Sequence, residues 1–190
     1  GVVLAELAGR VDWSNTLLEK GLAANPEAWR LPFQLGFTSF FHQKNYIRAA
    51  DYMAIAARLP GRPAYVPELA ARLYVEGKQP SLAVDFLDVM ERQTDDVHVL
   101  AVLERRKAEV ILERDLTILE EAIQGYTARE GRRLESFDEL IHAGDLAAIP
   151  VEPFGGAYRL DAEHGTVIST THPNRMRLHH APDGSITNLE

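Results

Sequence analysis

The feature that most constrains this chain is a recurrence of small and aromatic residues at one fixed interval. Phe40 is matched by Tyr74, Ala49 by Ala83 and Met53 by Leu87, each pair 34 positions apart. Self-similarity at such a period marks a repeat architecture, in which one supersecondary unit is copied along the chain. A unit that short cannot bury its apolar faces alone, so it stacks on its neighbours and leaves an extended surface. Such a surface suits binding better than catalysis.

The turn chemistry recurs with the same phase. Leu4, Leu7, Val11, Leu17, Leu18 and Leu22 keep helical spacing, with a turn expected around Gly9 to Asp12, and Asn25-Pro26 ends that segment. Glu27 to Leu59 reads as two helices. Phe33, Phe37, Phe40 and Phe41 lie on the first, Tyr46, Ala49, Ala50, Met53, Ala56 and Ala57 on the second, and His42-Gln43-Lys44-Asn45 forms the turn between them. Pro60-Gly61-Arg62-Pro63 is a strong stop, because proline lacks a backbone donor and glycine admits positive φ. A second hairpin follows: Pro67 to Glu76, a Gly77-Lys78-Gln79-Pro80 turn, then Ser81 to Met90.

With Arg30 and Ala64 as the first residues of two units, Phe33, Gly36, Phe37, Phe40, Tyr46, Ala49, Met53 and Ala56 fall at signature sites, as do Ala70, Ala71, Tyr74, Ala83, Leu87 and Met90. This pattern resembles the tetratricopeptide repeat family. Pro67 and Pro80 depart from it by standing where aromatic residues are usual. Trp13 to Pro26 looks like the second helix of an earlier, truncated unit. The resemblance implies a mostly α fold, an antiparallel array of helical hairpins forming an α-solenoid over residues 1–131. It also implies a concave groove lined by the first helix of each hairpin: Gln34, Thr38, Phe41, His42, Tyr65, Glu68, Arg72 and Glu76. Phe41 and Tyr65 are the expected apolar anchors there, and Arg72 the expected partner of a carboxylate. The Lys/Asn/Arg pattern with which some family members clamp a terminal carboxylate is missing.

After Thr94-Asp95-Asp96 the period fades, yet His98 to Glu130 keeps a helical stripe of Val99, Val102, Leu103, Val110, Leu112, Leu116, Leu119, Ile123 and Tyr126. A helical pair or one long helix is expected to close the stack. Residues 132–190 form a different region, a small α/β cap. Ser136-Phe137-Asp138-Glu139 is a capping box opening a short helix, Phe137 to His142, that stops at Gly144. Ile149 to Gly156 is extended and turn-rich. Ala157 to Leu160 and Thr166 to Thr170 read as the strands of a hairpin. This order of short helix, Pro153-Phe154-Gly155-Gly156 turn and hairpin resembles the C-terminal segment of bacterial type II secretion pseudopilins over about 35 residues. That family's acidic calcium ligands have no counterpart here.

Chemistry-bearing candidates are few. A net charge of −8 argues against nucleic acid as partner, and Arg105-Arg106-Lys107, bracketed by Glu104 and Glu109, reads as a solvated helix face. No apolar run reaches the roughly 20 residues that span a bilayer. With no cysteine, thiolate sites and disulfides are excluded. Gly1 to Gly9 lacks a basic region and a full apolar stretch, so no intact signal peptide is expected there. His164, His172, His179 and His180 cluster in the tail without HExxH spacing. Glu120-Glu121 and Asp95-Asp96 are adjacent pairs that cannot share one site on a helix, and Ser39 with His42 lacks an acidic orienting partner.

The expectation is a non-catalytic scaffold with no cofactor, catalytic residue or metal site, which binds a protein or peptide within a bacterial multiprotein assembly of the envelope, secretion or pilus type. Cytoplasm and periplasm both stay open. Two alternatives stand beside it: a metal-dependent enzyme using the histidine-rich tail, and a structural module that self-associates through the ends of the array.

Overall fold

The computed structural model describes residues 11–161 and 164–176. These hold seven helices: α1 (Val11–Ala24), α2 (Arg30–Phe41), α3 (Tyr46–Ala57), α4 (Val66–Glu76), α5 (Pro80–Glu91), α6 (Val97–Glu130) and α7 (Phe137–His142). One antiparallel pair of strands, β1 (Tyr158–Asp161) and β2 (Thr166–Ser169), completes the fold, with Tyr158 opposite Ser169 and Asp161 opposite Thr166. The protein is therefore mostly α with a small two-stranded sheet. Among the described residues no helix is long and apolar enough to cross a membrane. Leu4 and Leu7 lie outside the described residues, as do His179 and His180, and Asp12 is already helical where a turn was expected.

The chain divides into two compact units, and the division falls inside α6, after Lys107. In the first unit consecutive helices pack on one another, α1 on α2, α2 on α3, α3 on α4 and α4 on α5. The 34-residue interval holds in the backbone as well as in the side chains. α3 and α5 begin 34 positions apart and end 34 positions apart. The turns preceding them place Lys44 and Lys78, again 34 apart, in the left-handed region at φ 52° and 59°. The matched residues Phe40 and Tyr74, Ala49 and Ala83, Met53 and Leu87 are all buried. Small side chains set how closely the helices approach: a Cβ on Gly36 would sit 3.0 Å from the Ala49 carbonyl oxygen and 3.0 Å from Met53 Cε. The Tyr74 hydroxyl donates to Asp51 Oδ1 at 2.8 Å, tying α4 to α3.

The second unit runs Ala108–Met176. The sequence places a boundary near residue 131, whereas this unit already begins within α6. The reason is packing: Leu112, Leu116, Leu119, Ile123 and Tyr126 form one buried cluster with Leu134, Leu140, Tyr158 and Val167. A two-stranded hairpin is marginal without an apolar partner surface, and the later turns of α6 supply it. The expected capping box is present, with Ser136 Oγ accepting from the Asp138 N–H and Glu139 accepting from the Ser136 N–H.

Glu152 organises the Pro153-Phe154-Gly155-Gly156 turn. Its buried carboxylate accepts from the N–H groups of Phe154 and Gly156, both at 2.8 Å, and from the hydroxyls of Ser169 and Thr171. Burial opposes its ionisation, but these donors outweigh burial and hold its pKa below the ordinary carboxylate range.

Candidate functional site

The first unit contains a cavity of about 920 Å3 where four stretches of chain converge. The end of α3 and the stop after it contribute Ala57, Arg58, Leu59, Pro60 and Arg62, and the start of α4 contributes Pro67 and Glu68. Met90 and Gln93 come from the end of α5, and Asp96, His98, Val99, Val102 and Leu103 from the approach to α6 and its first turns. The Pro60-Gly61 break shapes one wall, with Gly61 at φ 71°, a region open to glycine at little cost. Asp96 fixes the opposite wall. Its Oδ1 accepts from the N–H groups of His98 at 2.9 Å and Val99 at 3.3 Å, so it caps α6, and Thr94 Oγ1 accepts from the Asp96 N–H.

The lining joins apolar area to two arginines and two carboxylates. Val99 is 40% and Val102 49% exposed, above the buried side chains of Met90 and Leu103. Of the two lining carboxylates, Glu68 is held by the Arg106 guanidinium and Asp96 is engaged by the α6 backbone. Neighbouring Lys107 is likewise bound to Asp88 and Glu91. Arg58 and Arg62 have no ion pair among the described residues, and the Arg62 Nε–H is shielded from solvent without an acceptor. The other N–H groups of these two guanidiniums are suited to an anionic or carbonyl oxygen.

The residues expected to line a groove take several roles. Thr38 is 3% exposed and donates to the Gln34 carbonyl at 2.9 Å, which makes it an interior residue. Phe41 is half-buried, its ring against Phe37 at 4.2 Å and Phe40 at 4.8 Å. His42 is exposed and closes α2. Tyr65 is 43% exposed and meets Phe33 edge-on at 6.4 Å. Gln34, Arg72 and Glu76 are half-buried, and both Arg72 and Glu76 interact within the protein. Of the eight, Glu68 alone lines the cavity.

Sequence reasoning passed over Arg58 and Arg62 and placed Val99 and Val102 in the apolar stripe of α6, whereas both are exposed and line the cavity. One signal was present: neither arginine has an acidic residue three or four positions away, the distance at which helical ion pairs form.

The histidines of the second unit that lie within the described residues are separately engaged. His164 Nδ1 is 2.8 Å from Asp161 Oδ2, and the His172 ring stacks on Phe154 with centroids 3.7 Å apart. Among the described residues no three His, Cys, Asp or Glu side chains gather as a metal-binding set. No family model, curated protein or solved structure matches the chain.

Proposed function

We propose that this protein is a non-catalytic protein-binding scaffold, built on a tetratricopeptide-like solenoid of helical hairpins, that works within a bacterial multiprotein assembly. The observation that carries the reading is the cavity where α3, α4, α5 and α6 converge, with exposed apolar side chains beside two guanidiniums that pair with no carboxylate among the described residues. Apolar walls with a few convergent polar groups are what a recognition site needs. The 34-residue interval, shared by side chains, helix limits and left-handed turn residues, supports the repeat. The order of short helix, Pro-Phe-Gly-Gly turn and hairpin in the second unit supports the assembly assignment through its likeness to the pseudopilin segment.

Site-specific photocrosslinking tests the scaffold reading. A benzophenone amino acid replacing Val102, added to an extract of the native cells, is expected to give a discrete protein adduct. The same group replacing Val151, 88% exposed in the second unit, is expected to give none. Absence of an adduct at Val102, or the same adducts at both positions, would overturn it.

A further inference from the structure

We infer that the cavity of the first unit recognises an acidic peptide segment of a partner protein. Arg58 and Arg62 receive its side-chain carboxylates, and Val99 and Val102 receive a neighbouring apolar side chain. The inference rests on the binding-scaffold reading and adds the chemistry of the partner.

Charge complementarity carries it. The two acids of the lining are already matched, Glu68 by Arg106 and Asp96 by the N–H groups that open α6. Arg58 and Arg62 are the lining cations without an ion pair among the described residues. The position of Arg58 at the end of α3 suits the helix dipole and accounts for part of its placement. Arg62 lies beyond the helix, where no helix dipole accounts for it. A carboxylate suits two guanidiniums without an ion pair better than a neutral carbonyl does, because charge-assisted bonds to guanidinium are shorter and stronger and admit two parallel contacts.

Specificity must arise by contact, since the chain as a whole carries −8 and repels an acidic segment at long range. Two arginines within an acidic protein are too few to hold a nucleic-acid backbone, whose binding depends on neutralising many phosphates. The exposed flanks of Val99 and Val102 add an apolar requirement that a small free anion cannot meet.

Three fluorescein-labelled octapeptides serve as probes of the full chain: Leu-Glu, Leu-Gln and Leu-Lys, each repeated four times and followed by fluorescence anisotropy. The Leu-Glu peptide is expected to bind about tenfold or more tighter than Leu-Gln, with Leu-Lys weakest. R58Q and R62Q each weaken Leu-Glu binding about tenfold and leave Leu-Gln binding unchanged. R62K keeps the charge and recovers part of the loss, and far-ultraviolet circular dichroism confirms that each variant is folded.

Equal binding of Leu-Glu and Leu-Gln, both lost in V102D, would overturn the acidic preference while leaving the scaffold reading intact. Binding of none of the three peptides would also overturn it, and the crosslinking at Val102 would then decide the scaffold reading by itself. A concentration-dependent dimer in sedimentation, abolished by R62Q, would assign the site to a second copy of this chain and overturn the proposed partner.

Discussion

The two compact units are held by different chemistry. The first is an interior of alanines, leucines and aromatic rings brought close by small residues, with Ala49, Ala50, Ala56, Ala57, Ala70, Ala71 and Ala83 all fully buried. The second adds buried carboxylates to its apolar cluster. Glu152 binds the Phe154-Gly156 turn and β2, Asp115 accepts from the Tyr158 hydroxyl at 3.1 Å, and Glu113 binds Arg175 at 2.8 Å. Ion pairs occur in both: Arg48 meets Glu19 and Arg106 meets Glu68 in the first unit, and Arg114, Arg129, Arg132 and Arg175 each meet a carboxylate in the second. What differs is the depth of the acids, since Glu113, Asp115 and Glu152 are buried whereas Glu19 and Glu68 are not. A buried carboxylate needs donors around it, so the second unit fixes its turns by polar bonds where the first packs by apolar contact.

The largest expected effect lies in the apolar interior of the first unit. Leu87→Ala, at a fully buried position of α5, leaves a cavity among tightly packed helices and should cost about 3 kcal/mol. Residue-resolved hydrogen exchange in urea should show the loss in α3 to α5. If amides of β1 and β2 lose protection equally, the two regions share one cooperative unfolding and the contrast fails.

Next comes the polar knot of the second unit. Glu152→Gln keeps the volume but turns an amide toward groups that all donate, so it should cost about 2 kcal/mol. Urea unfolding followed by the near-ultraviolet signal should detect it. A neutral result would mean that Glu152 is tolerated by this turn and does not organise it.

These two positions also show what the sequence made legible. Leu87 declared itself because the apolar period repeats locally and has a partner at Met53. The limits of the hairpin helices α3 to α5, the turns at Lys44 and Lys78 and the Ser136 capping box were legible for the same reason: their signals lie within one turn of the residue concerned. Glu152 gave no such signal. Its hydroxyl donors are 17 and 19 positions away, and the Arg175 to Glu113 pair spans 62. The start of the second compact unit within α6 was not legible because α6 has one continuous apolar stripe, and periodicity records helical spacing without recording what each residue packs against. The cavity was hidden because its walls come from four separate stretches.

Acid should sharpen the comparison further. Hydrogen bonds from the Tyr126 hydroxyl, then from Arg132, hold the Glu139 pKa at about 2, and Glu152 is also lowered. A carboxylate whose folded pKa lies below its unfolded value of about 4.3 contributes stability that is present above pH 4.3 and lost as pH falls toward the folded pKa. Lys107 in the first unit shifts the opposite way: burial opposes its charge, but bonds to Glu91 and Asp88 raise its pKa. The part that follows the lysine's own titration is fully present below its unfolded pKa and is lost as pH rises through the raised folded value. Between pH 4.3 and about 2 the urea midpoint read at the Leu140 and Val167 methyl groups should therefore fall more than that read at Leu87, and Glu139→Gln should flatten the difference. Equal falls in both regions would mean that acid acts through the carboxylates of the whole chain.

The smallest effects are expected at the helix caps, where the two regions can be compared like for like. Ser136→Ala removes the acceptor for the Asp138 N–H and should cost about 1 kcal/mol. The six residues of α7 are too few to be helical alone, so the cap and the burial of Leu140 together hold it in place. Asn45→Ala removes the acceptor for the Arg48 N–H at the start of α3 and should cost less, about 0.5 kcal/mol. That helix is twice as long and remains fixed by Ala49, Met53 and Ala57, whatever happens at its first turn. Thermal melts of the two variants, with Ser136→Asp and Asn45→Asp as caps that retain an acceptor, measure the difference directly. A larger loss at Asn45 than at Ser136 would show that the first unit depends on its local turns more than its packing suggests.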